Sequence, residues 1–281
     1  MDYINAGGLI LPQIGLGTYP MKGEVLNKAL DYAASSGYRL IDTAYKYQNE
    51  SLIGDFLKNN KDNDNPFFVQ TKFSVTQLSY KKFFFLKYGQ HTIDDGFNDS
   101  REKLKKECID VYMLHAPSVG YENYYGDLLR FREQGKVKTV GVCRFDEKQL
   151  QTLKELYGEY PAINQIEVHP FNTNKKLIDF CLSKDIAIEA RTVLTHGDAL
   201  SELLENEILK TIAKEHNKTI PQIVIRWIAQ QGLIVIVKSE SPEHIQDNIN
   251  VFDFSLSNKE IRMIDSLNKD LSFGCVSIKR K

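Results

Sequence analysis

A (β/α)8 barrel, an α/β fold with an N-terminal β-hairpin closing one end, is the architecture that this 281-residue sequence predicts. Eight short apolar runs recur along the chain, and helical patterns separate them. Several runs end on a charged residue, the position from which such barrels present catalytic groups. Asp42 lies in the run Arg39–Ala44, Lys72 ends Phe67–Lys72, and His115 ends Asp110–His115. Tyr47 follows just after the first of these, so folding would gather four reactive side chains at one mouth.

The elements follow in order. Tyr3 to Pro12 reads as a hairpin turning at Gly7-Gly8 and plugging one barrel end. The eight runs are Ile14–Thr18, Arg39–Ala44, Phe67–Lys72, Asp110–His115, Thr139–Val142, Ile163–Val168, Ala187–Ala190 and Ile234–Val237. Parallel strands in one sheet need crossovers, which the intervening segments supply. Val25, Leu26, Ala29, Leu30 and Ala33 trace one helical face that stops at Gly37. Asp146 and Gln149 form a capping box before Leu150, Leu153 and Leu156. Asn174 is placed to cap a helix carrying Leu177, Ile178, Cys181 and Leu182, and Pro221 suits the first turn of another running through Trp227. Ser257 with Glu260 opens the last helix.

Composition narrows the function. With 42% hydrophobic residues the chain can bury one large core, so residues 1–281 are expected to form a single domain. A net charge of -1 provides no field for nucleic acid or an anionic membrane, and Lys279-Arg280-Lys281 reads as a solvated tail. No signal-like N-terminus is present, nor an apolar run near the roughly 20 residues that span a bilayer, so a cytoplasmic location is expected. Cys108, Cys143, Cys181 and Cys275 are scattered without a C-x-x-C pair, which indicates reduced thiols and neither a metal site nor a disulfide framework. Between Gln77 and Gly96, aromatics crowd with lysines around Phe83–Phe85. That stretch reads as an anchored surface excursion, with a lid or an oligomer contact as the alternatives.

The ordered blocks Gly15–Tyr19, Gly37–Glu50, Gln70–Lys72, Tyr112–His115, Gly135–Val142, Asn164–Pro170 and Val237–Ser239 with Asn248 resemble the aldo-keto reductase family over nearly the whole length. That family is built on the TIM barrel with an N-terminal hairpin. The resemblance implies NAD(P)H-dependent reduction of small aldehydes or ketones, with Asp42, Tyr47, Lys72 and His115 as the catalytic set.

Chemistry agrees with this grouping. A phenol with pKa near 10 is a reluctant acid at neutral pH, and a nearby Lys72 ammonium would lower it. Asp42 would hold Lys72 charged, and His115 would polarise the carbonyl oxygen. Taken singly, Asp42, Tyr47 and His115 have structural readings as a helix cap, a packed ring and a core histidine, whereas Lys72 ending an apolar run is more demanding, because burial without an anion would favour its neutral form.

Gly15-Leu16-Gly17 is no dinucleotide fingerprint, since the third glycine is missing and Pro20 stands in its place. The resemblance instead lays NADPH, with NADH as the alternative, across the barrel mouth. It implies contacts from Gly17, Thr18, Asp42 and Gln165, with Lys238 and Ser239 near the 2′-phosphate and Asn248 near adenine. Three departures stand out. His244 occupies a common arginine position, which weakens the grip on a phosphate, and Glu240 nearby adds repulsion or faces solvent. Cys143-Arg144 replaces a usual Ser-Asn, and Arg191 replaces a stacking tyrosine. The two arginines would touch the nicotinamide and bias it toward the neutral reduced form, or would pair with Glu167 or Glu189.

Tyr19, Tyr47 and His115 suggest an aromatic substrate mouth. The segment after His115, the turn Thr195–Asp198 and the tail Phe273-Gly274-Cys275 are short, which predicts an open pocket for small, polar or reactive carbonyls. A monomer or weak homo-oligomer is expected. The competing function is a catalytically impaired cofactor-binding or redox-sensing protein on the same scaffold.

Overall fold

The computed structural model describes residues 2–60, 65–74 and 92–273. The aromatic segment around Phe83–Phe85, Cys275 and the basic tail Lys279-Arg280-Lys281 lie outside the described residues.

Strands β1 (Tyr3–Ala6) and β2 (Leu9–Pro12) form an antiparallel hairpin, Tyr3 facing Pro12. Gly7 and Gly8 both have positive φ, 62° and 91°, which a two-residue turn demands and glycine meets without strain. The remaining strands are β3 (Ile14–Gly17), β4 (Leu40–Asp42), β5 (Phe68–Phe73), β6 (Ile109–Leu114), β7 (Val137–Cys143), β8 (Ile163–Glu167), β9 (Ala187–Arg191) and β10 (Ile234–Val237). They are parallel and close into a barrel in chain order, β10 pairing with both β9 and β3. All eight expected strands are present.

The hairpin seals the end where the strands begin. Ala6 and Leu11 are fully buried against Leu40, Val111, Ile163 and Ile234 inside the barrel. A Cβ on Gly7 would come within 2.7 Å of Ala162 Cβ, so only glycine lets the turn sit this close. Alternation along the strands then separates two levels of the interior. Leu40 and Val111 fill the lower level, while Asp42, Gln70, Lys72, Gln165 and Glu189 lie buried above them.

Helices cover the outside. Helix α1 (Gly23–Ser35) buries Leu26, Ala29, Leu30 and Ala33 and ends before Gly37 at φ 97°. Val25, expected on that face, is 45% exposed, because one step along a helix turns a side chain by about 100°. Helix α2 (Glu50–Asn59) packs on α3 (Ile93–Leu104) through Gly54, where a Cβ would stand 2.0 Å from the Lys103 carbonyl oxygen. The chain continues through α4 (Tyr121–Glu133), α5 (Glu147–Tyr157), α6 (Lys175–Leu182), α7 (Asp198–Glu205) and α8 (Glu207–His216). It finishes with α9 (Ile220–Ala229), α10 (Pro242–Ile249) and α11 (Asn258–Asp265).

The expected capping boxes form at Asp146 with Gln149 and at Ser257 with Glu260. Leu156 nonetheless points outward, 58% exposed, while Leu150 and Leu153 are buried. Asn174 does not cap α6 as expected. Its left-handed φ of 48° turns the side chain away from the first turn, and Nδ2 donates to the Glu167 carbonyl at 2.6 Å. Cys108, Cys143 and Cys181 are free thiols. Among the described residues no helix is long and apolar enough to cross a membrane.

Candidate active site

A cleft of about 850 Å³ opens at the carboxyl ends of the strands. Tyr47 reaches it from a 3-10 turn, Tyr45–Tyr47, that follows β4 directly. Asn49 fixes this turn: its Oδ1 accepts from Thr43 Oγ1 at 2.6 Å, and its Nδ2 donates to the carbonyls of Thr18 and Met21, each at 3.2 Å. Glu50 accepts from Thr71 Oγ1 at 2.6 Å, which ties the start of α2 to β5.

Lys72, wholly buried, donates to Asp42 Oδ1 and, at 3.0 Å, to the Thr43 carbonyl. Its Nζ lies 5.5 Å from the centre of the Tyr47 ring, whose edge-on neighbour at 5.8 Å is His115. The structure thus brings Asp42, Tyr47, Lys72 and His115 together. Tyr19 closes the outer side, its ring 4.9 Å from that of Tyr47.

Charge and burial compete here. Burial pulls Lys72 toward its neutral form, but the Asp42 carboxylate, with Tyr47 and Cys143, lifts its pKa above the ordinary value. Tyr47 differs from expectation: burial raises its pKa, and the lowering pull of Lys72 does not outweigh burial and Asp42 together. The phenol therefore keeps its proton at neutral pH. His115 is driven well below its ordinary value by burial, then by Lys72, Arg144, Lys46 and Arg191. It is a neutral imidazole, and its buried Nδ1 meets no hydrogen-bond partner among the described residues.

Beneath this group lies a polar layer that the sequence reading missed. Gln70 Nε2 donates to Asp42 Oδ1 at 2.6 Å and Glu189 Oε2 at 2.9 Å. Gln165 Nε2 makes the same pair of bonds at 3.0 and 3.1 Å. Gln165, expected at the nicotinamide, has its amide nitrogen committed to these two carboxyls. Burial, with Asp42 nearby, pushes the Glu189 pKa up to about 7. The available signal was alternation: Gln70 shares a face with Lys72, and Glu189 with Arg191.

The other expected cofactor residues divide. Gly17, Asp42, Cys143, Arg144, Gln165, Arg191 and Lys238 line the cleft, as do Tyr19, Tyr47 and His115. Thr18 does not. It is fully buried, and its Oγ1 donates to the Asp42 carbonyl at 2.9 Å, so it fastens β3 to β4. Ser239, His244 and Asn248 also lie off this lining: Ser239 Oγ accepts from Ser241 N at 3.2 Å, His244 is exposed on α10, and Asn248 is buried beneath it. Lys238 is held by Glu240 at 2.5 Å, so the glutamate neutralises the lysine rather than facing solvent alone.

Arg191 pairs with Glu167, Nη2 to Oε2 at 3.5 Å, and donates from Nη1 to Thr192 Oγ1 at 3.0 Å. This is the ion-paired alternative, formed on the cleft wall. Glu167 Oε1 also accepts from the backbone N–H of Phe273 at 2.8 Å. Cys143 is buried, and burial pushes its thiol up to about 12, so it is no nucleophile. Among the described residues no group of three His, Cys, Asp or Glu side chains is placed to hold a metal ion.

Fold and site together define a closed (β/α)8 barrel with a lysine-backed tyrosine and a histidine at its mouth. The aldo/keto reductase family model matches residues 13–269, and the chain belongs to that family. Among its relatives, the 9,11-endoperoxide prostaglandin H2 reductase of Trypanosoma cruzi is 36% identical over 94% of this chain and 90% of its own. Glyoxal reductase of Bacillus subtilis is 33% identical, over 95% and 92%. The crystal structure of MGS-M4, an aldo-keto reductase from a Medee basin deep-sea metagenome library, superimposes with a TM-score of 0.86 at 35% identity, covering 98% of this chain and 97% of its own.

Proposed function

We propose that the protein reduces small aldehydes and ketones to alcohols, with NADPH favoured over NADH as the reductant and Tyr47 as the acid. The observation that carries this reading is the joint placement of Tyr47, Lys72, Asp42 and His115 at one cleft. The names of the relatives support it, since the Bacillus subtilis protein is a glyoxal reductase and a 34% identical protein of Yersinia pestis is a methylglyoxal reductase.

The residues present fit a dinucleotide. Gly17, Arg144, Gln165, Arg191 and Lys238 line one continuous cleft, and the buried Nε of Arg144 has no protein partner among the described residues, as a donor awaiting an amide oxygen would. The bound nicotinamide would supply the hydride. The protein's share is the oxygen: neutral His115 offers a hydrogen bond, and Tyr47 gives up its proton as negative charge develops. Lys72, held charged by Asp42, then steadies the phenolate. At the far end Lys238 and Ser239 would meet a 2′-phosphate, with Glu240 reducing the advantage of NADPH over NADH.

Following the loss of reduced-cofactor absorbance with aldehydes and ketones tests the reading. Tyr47→Phe should lower kcat by about 100-fold or more, as loss of a positioned proton donor does. Turnover independent of Tyr47 would refute the assignment, and cofactor binding without turnover would favour the non-enzymatic scaffold.

A further inference from the structure

Glu189 is wholly buried in the middle of β9, in register with Gln165 of β8 and Ile234 of β10. A side-chain amide nitrogen carries two hydrogens, and Gln70 and Gln165 divide theirs alike. Each donates to Glu189 Oε2, at 2.9 and 3.1 Å, and to Asp42 Oδ1, at 2.6 and 3.0 Å. Asp42 Oδ1 is also the atom that Lys72 Nζ meets. A continuous path of contacts therefore runs from Glu189 through either amide to Asp42 and Lys72, and on to the Tyr47 ring, whose centre lies 5.5 Å from Lys72 Nζ.

The surroundings leave Glu189 to this path. Its Oε1 meets no hydrogen-bond donor among the described residues. Arg191, the next inward residue on β9, is paired with Glu167 of β8, and Lys238, just beyond β10, is paired with Glu240. From β4 and β5 the groups that bear on Glu189 are Asp42 and Lys72, and Glu189 in turn bears on the Cys143 thiol of β7. Beyond β6 stands the neutral His115. Ile188 and Ala190, its neighbours along the strand, turn outward to join Ile178 and Cys181 of α6, so the helix charges do not face it. Burial and Asp42 outweigh the two amides and Lys72, and the carboxyl keeps its proton up to about pH 7. Above that, a second negative charge enters a layer already holding Asp42, and a tyrosine near added negative charge holds its proton more tightly.

We propose that Glu189 is a positioning residue for the reduction: through the shared amides of Gln70 and Gln165 it sets the charge that the Asp42–Lys72 pair presents to Tyr47. This rests on the carbonyl-reductase reading and adds a residue to it. With Glu189 neutral, the ammonium of Lys72 answers to Asp42 and steadies the phenolate that forms as Tyr47 gives up its proton. With Glu189 ionised, part of that field is taken up from below, and proton donation slows. The acid touches neither substrate nor cofactor; it acts through the pair above it.

The test follows single-turnover reduction of methylglyoxal by the NADPH-saturated enzyme, which reads the chemical step, from about pH 6 to about pH 8. The wild-type rate should fall by about 3-fold across that window. Glu189→Gln, neutral at every pH and still offering an oxygen to both amides, should give a level profile, and Glu189→Asp should restore a fall. His196→Asn, which removes another titratable group from the cleft lining, should keep the wild-type fall. Infrared difference spectroscopy reads the acid without turnover: the carbonyl stretch of a buried, protonated carboxyl should vanish as pH rises through about 7 and be missing from Glu189→Gln. The same pH dependence in wild type and Glu189→Gln would overturn the positioning role, and so would a level wild-type profile. Turnover of no carbonyl compound, with the infrared band still titrating, would overturn the proposed reaction and the role with it.

Discussion

Asp42 and Glu189 share the same two amides: Gln70 and Gln165 each donate from one nitrogen to Asp42 Oδ1 and to Glu189 Oε2. Two carboxyls this close, with a single ammonium beside Asp42, do not both ionise readily. Glu189 takes the proton, its pKa pushed up to about 7 by burial and then by Asp42.

The first prediction follows from that shift. An acid whose folded pKa exceeds its unfolded value of 4.5 makes the folded state bind more protons between 4.5 and about 7, so stability falls as pH rises through that window. The difference of about 2.5 units corresponds to roughly 3 kcal/mol as an upper bound. Glu189→Gln should remove the slope. Urea unfolding at pH 5 and pH 8 should show the variant gaining on the wild type by about 1 to 3 kcal/mol; an unchanged difference would defeat the assignment.

Lys72→Met tests the ion pair. Removing the buried ammonium strands the Asp42 carboxylate, and breaking such a pair costs about 3 to 5 kcal/mol in unfolding free energy. It also removes the one lowering influence that bears most strongly on Tyr47, so any residual turnover should persist to higher pH than in the wild type. A variant as stable as the wild type would show that the pair is dispensable to the fold.

Gly54→Ala sets helix propensity against packing. Alanine favours an exposed helix by about 1 kcal/mol, but here its Cβ would sit 2.0 Å from the Lys103 carbonyl oxygen. Helices α2 and α3 would have to separate, and a loss of about 2 to 3 kcal/mol is expected by denaturant titration.

Cofactor affinities distinguish the two arginines. Arg191 already has Glu167, so Arg191→Tyr should change the ratio of NADPH to NADP+ affinity little. Arg144→Ser should lower that ratio by about 3-fold, because an unmatched guanidinium repels the cationic oxidised ring. Fluorescence titration of both forms measures it, and equal ratios in wild type and Arg144→Ser would remove the bias.

Strand positions were legible because β-formers recur in eight compact runs, and the gathering of Asp42, Tyr47, Lys72 and His115 at one cleft because they stand at or just after strand ends. Helix faces were read to within one residue, so Val25 and Leu156 went astray at the edges of their stripes. The inward turn of Thr18 was not legible, because a hydroxyl beside a glycine pair gives no sign of bonding to the Asp42 carbonyl. The bond between Gln70 and Glu189 escaped notice for a related reason. Their pairing joins strands 119 residues apart, and only barrel closure shows that their neutral and acidic groups share one floor.

The hairpin that plugs the lower end has a consequence for the dielectric of the interior. With Ala6 and Leu11 packed on Leu40, Val111, Ile163 and Ile234, water is kept from the floor on which Asp42, Lys72 and Glu189 lie buried. Charges held there interact more strongly than they would in contact with solvent. Ten residues at the opposite pole of the molecule thus help to set the protonation of the cleft.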